Sequence, residues 1–361
     1  RRSRPLSCCR NRFREGSTRI PSPARSEKTS ANHRTRTDLG SLKCLFGTQA
    51  DVTQKGAPMI RFNRILVTVD FGEFSQSLMG YARHIAELAS SSRVYFYHVA
   101  DNLEIPERIR EEYPSFIEPL DESAIREMKM MAQEIFGRHG QPELHFQIGE
   151  GDLLDNVLRF IKIKDIDLVL VGKPTESNGR SSLPEKLTRK APCSVLTVPD
   201  GSTPFYEKPL LATDFSTHSL YALDVAQAFT KSANLDEVTC LHAYDVPSGY
   251  SKIGKTREQF AEIMKRNAEA EHSSLAFRLG PSTTVPPLVL VQHKQPDQAI
   301  ASYVEESGSD LLIMGTRGRT KGAAVILGSI TEKVLRTTKV PLLAVKTKGA
   351  GLDLLNALLG S

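Results

Sequence analysis

The sequence predicts an α/β protein with two tandem doubly wound domains, each a five-stranded parallel sheet of order 3-2-1-4-5 with helices on both faces. Two observations support this prediction. The chain repeats itself with an offset near 144 residues, which is the length of a whole domain and too long for a solenoid unit. Within each copy, short apolar runs alternate with amphipathic segments, which is typical of βα units around a parallel sheet.

The repeat is visible at matching residues in the two halves of the chain. The offset is 144 for Asp70 and Asp214, 143 for Gly172 and Gly315, and 147 for Glu185 and Glu332. We therefore predict a first domain at residues 59–200, a second domain at 205–348, and a short linker at 199–204. Residues 349–361 form a C-terminal tail.

Each element is predicted from its apolar pattern. Continuous apolar runs such as LVLV and LLIM indicate strands that are covered on both faces. In the first copy, strands are expected at 65–69, 94–99, 144–148, 168–171 and 194–198. In the second copy, strands are expected at 210–213, 237–243, 288–291, 310–314 and 340–345, with helices at 217–232, 257–279, 298–306 and from 331.

The N-terminal segment, residues 1–58, differs from the rest in charge and composition. It holds 13 Lys and Arg against 4 Asp and Glu, whereas the remainder holds 34 against 38. The segment therefore has a net charge of +9 and the remainder −4, so the basic balance of the chain comes from this segment. Its Arg, Ser, Thr and Pro content is typical of disorder. Three interpretations stay open: an upstream extension before a start at Met59, a transit peptide, or a nucleic-acid-binding arm.

Composition excludes several function classes for the remainder. No stretch approaches the roughly 18–20 apolar residues of a membrane helix, so no membrane partner is expected. Five cysteines do not form a disulfide framework, and the histidines fit no metal-ligand spacing. We expect Cys240 to be buried in a strand and Cys193 to be partly exposed. The acidic balance and the absence of Trp disfavour a nucleic-acid partner.

The most informative stretch is a glycine loop at residues 315–329, which follows the fourth strand of the second copy. Its spacing is G-x2-G-x9-G-S, which matches neither a P-loop nor the dinucleotide fingerprint. Glycines let backbone N–H groups approach phosphate oxygens, and Ser329 lies near a helix start. Arg317, Arg319 and Lys321 make the loop positive. A glycine-rich turn that merely closes a βα unit is the alternative.

Asp214 favours a binding site over that alternative. It follows the first strand of the second copy, as Gly315 follows the fourth, and those strands are neighbours at the switch point of the sheet. A carboxylate there bonds ribose hydroxyls while the loop holds phosphates. Capping the next helix is a second role that we expect for Asp214.

These features resemble the universal stress protein family, over about residues 62–347. The resemblance rests on ATDFS at 212–216, on LHAYD at 241–245, and on MG-x2-G-x9-GS-x-TEKV at 314–334. The last motif is specific for the ATP-binding branch, and the tandem arrangement is similar to bacterial E-type members. Lys294 departs from the family, which often has glycine there, and the departure implies a narrower pocket or an added phosphate contact.

The resemblance implies a role for each member of the second-copy site. Asp214 would contact the ribose of ATP, for which Mg²⁺ is an optional companion ion, and Ala243 and Met314 would line the adenine pocket. The phosphates would be surrounded by Gly315, Arg317, Gly318, Gly328, Ser329 and Thr331. The resemblance also implies that the fifth strands of the two copies pair, which gives an intramolecular pseudo-dimer, with a homodimer as a further option.

The first copy has lost the loop, because it is four residues shorter there. Gly172-Lys173-Pro174 replaces the opening of the loop, and Ser181-Ser182 stands where Gly328-Ser329 stands in the second copy. Pro174 removes a backbone donor, and we expect Lys173 to crowd the approach. A degenerate domain kept for packing is favoured over a domain with a different ligand.

The leading functional hypothesis is a cytoplasmic ATP-binding stress protein that acts by changing its conformation or partners. No Ser–His–Asp arrangement and no obvious general base accompany the glycine loop, so an enzyme is not expected. Two alternatives stay open: a slow ATPase or adenylate-transferring enzyme, and an interaction scaffold that binds no nucleotide.

Overall fold

The computed structural model describes residues 62–100, 108, 120–137, 142–174, 182–279, 284–318 and 327–348. The predicted extension at 1–58, the apolar tail at 349–361, and the loop residues Arg319, Lys321 and Ser181 lie outside these ranges. Contacts divide the chain into Arg1–Ala57 and Pro58–Ser361, and both repeats lie in the second unit.

The strands form one continuous ten-stranded sheet. The first repeat contributes β1 to β5, and the second contributes β6 to β10. Their bounds are Arg64–Thr68, Arg93–Ala100, Glu143–Glu150, Leu168–Lys173 and Ser194–Pro199 for β1–β5. For β6–β10 the bounds are Pro209–Ala212, Thr239–Tyr244, Leu288–Gln292, Leu311–Gly315 and Leu342–Val345.

The described α-helices follow the predicted alternation. In the first repeat they are α1 Glu73–Ala89, α2 Leu120–Phe136, α3 Leu153–Lys164 and α4 Leu183–Lys190. In the second repeat they are α5 Thr217–Ser232, α6 Arg257–Ser273, α7 Leu275–Leu279, α8 Pro296–Ser307 and α9 Ser329–Thr337. One helix was expected over 257–279, but Ser274 separates α6 from α7.

The strand order confirms the predicted topology in both repeats. It runs β3-β2-β1-β4-β5-β10-β9-β6-β7-β8, which is 3-2-1-4-5 in each domain. Strands within each repeat are parallel, whereas β5 and β10 pair antiparallel, with Leu343 opposite Leu196. The predicted pairing of the fifth strands is therefore confirmed, and each repeat covers the other's exposed edge.

Because β5 and β10 are antiparallel, the two domains point their strands in opposite directions. The carboxyl ends of β1 and β4 therefore point in one direction along the strands, and those of β6 and β9 point in the opposite direction. Ligands of open α/β sheets bind at such carboxyl ends. The two potential sites therefore lie at opposite ends of the strands of one sheet.

Apolar side chains cover both faces of this sheet. The largest cluster joins the repeats, since it includes Phe62, Tyr81 and Phe96 from the first and Phe215 and Phe229 from the second. Two smaller clusters lie under α3 and α4 and under α8 and α9. None of the described helices has the length and apolarity that crossing a bilayer requires.

The prediction for Cys193 was wrong. Its side chain is 1% exposed, because Cys193 precedes β5, which is covered on both sides as an interior strand of the joined sheet. Burial raises the pKa of its thiol to about 12. Cys240 is buried in β7 as predicted, and burial likewise raises the pKa of that thiol to about 12.

Candidate functional site

A cavity of about 300 Å³ opens where β6 and β9 end, at the switch point of the second domain. We call it the site cavity. All nine residues of the predicted site line it. They are Asp214, Ala243, Met314, Gly315, Arg317, Gly318, Gly328, Ser329 and Thr331.

Asp214 is fixed by the start of α5. Its Oδ1 accepts a hydrogen bond from the Ser216 backbone N–H at 3.0 Å and one from the Ser219 hydroxyl. The helix N-cap is Ser216, whose Oγ accepts from the Ser219 N–H at 3.3 Å. The expectation that Asp214 itself caps the helix was therefore wrong, because the turn into the helix places the N-cap two residues further along the chain. That turn places Phe215 at φ 60°, in the left-handed region.

Two glycines allow the backbone to approach closely at this edge. A Cβ on Gly315 would lie 2.9 Å from the carbonyl carbon and oxygen of His218, so any side chain would push β9 away from α5. A Cβ on Gly318 would lie 2.7 Å from Oδ2 of Asp214. The space beside the carboxylate therefore exists because residue 318 has no side chain.

The N-terminus of α9 forms the opposite wall of the site cavity. Gly328 is its N-cap, without a side chain to satisfy the first N–H groups, and Ser329 is its first residue. The N–H of Gly328 donates to Thr316 O at 2.7 Å, which brings the helix start against the glycine loop. The first N–H groups of a helix lack intrahelical partners and attract anions.

Thr331 anchors this helix to the sheet. Its hydroxyl is buried and donates to Gly315 O at 3.0 Å. The side chain therefore holds α9 against the end of β9. Because the hydroxyl is used in this bond, the group that Thr331 could offer to an anion is its backbone N–H in the first turn of α9.

Positive charge lies close to the cavity at Arg317. The pKa of His218 is lowered by burial and, to a smaller extent, by the Arg317 guanidinium, while Asp214 opposes this shift. Among the described residues that line the cavity, Arg317 is the one arginine or lysine. The cavity therefore has an anionic side at Asp214 and a cationic side at Arg317 and the start of α9.

Several residues at or beside the cavity were not predicted as site residues from the sequence. The Nδ1 atom of His242 lies 2.8 Å from Thr213 O, and its ring packs on Phe215 with 4.8 Å between centroids. Ser219 holds Asp214, and Ile300 adds an apolar wall from α8. The repeat could have revealed Ser219, because Ser75 stands five residues after Asp70. Lys294 is exposed and is not among the residues that line the cavity.

The first domain keeps half of this arrangement. Asp70 Oδ1 accepts from the Gly72 N–H at 2.9 Å and from the Ser75 hydroxyl at 2.8 Å, and Phe71 has φ 57°. The difference lies at the helix opposite. Pro184, which stands at the position of Thr331, occupies the first turn of α4, so it offers neither a hydroxyl nor an N–H.

Lys173 does not crowd the first-domain edge as expected. Its ammonium instead donates to Thr338 O of the second domain at 2.8 Å. The side chain is drawn away because Thr338 is the C-cap of α9 and a terminal helix carbonyl accepts a cation well.

The geometry of the second-domain site suits an elongated ligand with three chemical parts. A carboxylate accepts hydrogen bonds from hydroxyls, a helix start with nearby Arg317 receives anionic oxygens, and Ala243, Met314 and Ile300 offer apolar surface. The volume falls at the lower end of the roughly 300–1,000 Å³ that is usual for ligand pockets.

Comparison with known proteins gives the same family for both repeats. The sequence profile of the Universal stress protein family matches residues 61–199 and 206–346. Universal stress protein MJ0577 of Methanocaldococcus jannaschii is 29% identical over 167 residues, which is 40% of this chain and 98% of that protein. A universal stress protein of Thermus aquaticus is 30% identical over 137 residues, which is 38% of this chain and 96% of that protein.

Solved structures share the two-domain fold. A universal stress protein from Archaeoglobus fulgidus DSM 4304 is 18% identical, with a TM-score of 0.52 over 81% of this chain and 100% of its own. A structure from Pseudomonas aeruginosa UCBPP-PA14 is 16% identical, with a TM-score of 0.56 over 84% of this chain and 100% of its own. Since the family profile matches both repeats, the chain belongs to the universal stress protein family and carries two of its domains in tandem.

Proposed function

We propose that this protein binds ATP in its second domain and acts as a nucleotide-dependent regulator of a stress response. The single observation that carries the proposal is the site cavity itself. Nine residues from three separated parts of the sequence meet there, with a carboxylate on one side and a helix N-terminus on the other.

Each wall of the cavity suits one part of the nucleotide. Asp214 would accept hydrogen bonds from the ribose hydroxyls, and Ala243 and Met314 would contact the adenine ring. The phosphates would face Gly318, Gly328 and the first N–H groups of α9, where helix and backbone dipoles favour anions. Arg317 would add a charge-assisted contact.

The chemistry of the lining favours binding over turnover. Asp214 already accepts two hydrogen bonds from the start of α5, and the Thr331 hydroxyl is bonded to Gly315 O. A carboxylate and a hydroxyl that are held in this way orient a ligand and are poorly placed to move a proton. We therefore propose that ATP acts by stabilising one conformation of the second domain.

Calorimetric titration of the full chain tests this proposal. We expect ATP to bind and GTP to bind more weakly, with phosphate release at the background rate. Mass spectrometry of the ligand released from denatured purified protein should identify an adenine nucleotide. A chain that neither releases nor titrates nucleotide would leave an interaction scaffold as the function, and multiple-turnover phosphate release would identify an enzyme.

A further inference from the structure

Helix α9, whose start forms one wall of the site cavity, is contacted by the first domain through reciprocal ion pairs. Arg189 of α4 lies 2.7 Å from Glu332 of α9, and Arg336 of α9 lies 3.1 Å from Glu185 of α4. Each glutamate and each arginine has its counterpart 147 residues away. The pairs therefore form an approximate two-fold arrangement across the β5–β10 junction.

The C-terminus of each helix is capped by a lysine from the other domain. The ammonium of Lys173 donates to Thr338 O, the C-cap of α9, at 2.8 Å. The ammonium of Lys346 donates to Ala191 O, the C-cap of α4, at 2.7 Å. Thr338 and Ala191 are equivalent in the repeat, whereas Lys173 and Lys346 are not. The two capped carbonyls therefore correspond in the repeat, but the two lysines that cap them stand at different positions of the repeat.

The contact of Lys173 is sheltered from solvent. Thr338 and Glu185 are buried, and burial lowers the pKa of the Lys173 ammonium while Glu185 opposes this effect. The contact is a charge-assisted hydrogen bond to a carbonyl, and removal of the ammonium leaves Thr338 O without this donor in a buried setting, where such a loss is costly. The Lys173 cap therefore belongs to the class of contacts whose loss is measurable.

The conformation of α9 depends on such outside contacts. The helix has nine residues, and helices this short are marginal in water without tertiary support. Its N-cap is Gly328, which makes no side-chain capping bond. A cation at the C-terminus both satisfies the last carbonyls and interacts favourably with the helix dipole.

We propose that Lys173 of the first domain is a positioning residue for the nucleotide site of the second domain. It holds the C-terminus of α9, together with the Arg189–Glu332 and Arg336–Glu185 pairs, and so keeps the helix start aligned with Gly318 and Asp214. This inference rests on the proposed function for its effect on ATP. The first domain thus supports the second-domain site through Lys173, the last residue of β4.

The test compares Lys173→Met with Lys348→Met in the full chain. Lys348 spans the same junction, with its ammonium 2.7 Å from Asp165 and 2.8 Å from Asp167, and its partners do not belong to α9. We measure hydrogen exchange of the α9 amides without nucleotide, and ATP affinity by calorimetry. Lys173→Met should speed α9 exchange and weaken ATP binding about three- to tenfold.

The remaining outcomes separate this inference from the proposed function. Lys348→Met should leave both readouts unchanged, and Lys173→Arg should restore them because a guanidinium also donates to Thr338 O. Unchanged α9 exchange in Lys173→Met would overturn the positioning role. If the unmodified chain binds no ATP, the proposed function fails, and α9 exchange still decides whether Lys173 holds the helix.

Discussion

The carboxyl ends of β1 and β6 carry nearly the same structure, yet the helices that face them differ. Asp70 with Ser75, and Asp214 with Ser219, make equivalent hydrogen bonds, and the following phenylalanine has positive φ in both copies. The carboxylate is thus retained by the turn into the next helix, whatever its role in binding. The features that distinguish the second domain are on the other wall.

That other wall differs in chemistry and in what holds it. The second domain presents Gly328, Ser329 and Thr331 at the start of α9, whereas the first presents Ser182 and Pro184 at the start of α4. The sequence of the first copy is shorter at the loop, and its Lys173 contacts α9 of the second domain. Under the positioning role that we propose for Lys173, a domain without these anion-binding groups still supports the site of its partner.

The largest effect is expected at the glycine that separates the two walls. Gly318→Val places a Cβ 2.7 Å from Asp214 Oδ2, which is closer than van der Waals contact, and adds two methyl groups beside the carboxylate. We expect ATP affinity to fall at least about a hundredfold, or roughly 2.7 kcal/mol. Calorimetric titration measures this change.

The control in the first domain is Gly172→Ala, at the glycine that corresponds to Gly315, because the first copy has no glycine at the position of Gly318. Its Cβ would meet the side chain of Phe74 at 3.3 Å, a contact that can relax. ATP affinity should stay at the level of the unmodified chain. An equal loss in both variants would show that the effect is a general destabilisation and not a property of the second-domain site.

The lysine caps predict a pH dependence of stability. Lys346 is largely buried against Ala191 O, and burial lowers the pKa of its ammonium to about 8, with a smaller lowering effect from Arg317. The unfolded chain, with its lysine pKa near 10.5, binds more protons between these values. The free energy of unfolding therefore contains the full contribution of Lys346 above about pH 10.5. This contribution decreases as the pH falls and is lost once the pH has passed through about 8.

Denaturant unfolding at pH 7 and pH 10 measures this effect. We expect the free energy of unfolding to rise with pH by roughly 2 kcal/mol more in the unmodified chain than in Lys346→Met. Other lysines and tyrosines titrate in both proteins and cancel in the difference. Parallel pH profiles for the two proteins would contradict a sheltered ammonium at this cap.

A smaller effect is expected when the second-domain carboxylate loses its charge. Asp214→Asn keeps an oxygen for the Ser216 N–H and removes the charge that would strengthen hydrogen bonds from a ribose. ATP affinity should fall about tenfold. Asp70→Asn makes the same change in the first domain and should have no effect, whereas equal losses would place nucleotide in both domains.

The smallest effect is expected at the hydroxyl that begins α9. Ser329→Ala removes one side-chain donor and leaves the helix N–H groups in place, so we expect about a threefold loss of ATP affinity. Ser182→Ala is the counterpart at the start of α4, where the side chain makes no capping bond. If Ser182→Ala lowered ATP affinity as much as Ser329→Ala does, the claim that only the start of α9 contacts the nucleotide would be contradicted.

Much of the fold follows from patterns that sequence carries directly. The repeat of about 144 residues and the apolar runs locate the strands. Asp214 and Gly315 each stand at the end of such a run, and those two strands are neighbours in the sheet. All nine predicted residues line the site cavity because a parallel sheet brings its carboxyl ends to one edge. Their contacts with a nucleotide stay a prediction.

The pairing of the fifth strands was expected, but the side-chain contacts across that junction were not predictable in the same way. The recurrence of glutamate at 185 and 332 is explained equally well by helix starts, which favour acids. Only the antiparallel junction shows that Arg189 and Arg336 meet the opposite copy. Cys193 was misjudged for the same reason, since an edge strand in one domain becomes an interior strand in the joined sheet.

The central claim is that one nucleotide binds per chain, in the second domain. Native mass spectrometry of the full chain with excess ATP counts bound ligands directly. We predict one ATP in the unmodified chain and in Asp70→Asn, and none in Gly318→Val at the same concentration. Two bound nucleotides, or one that persists in Gly318→Val, would contradict the account.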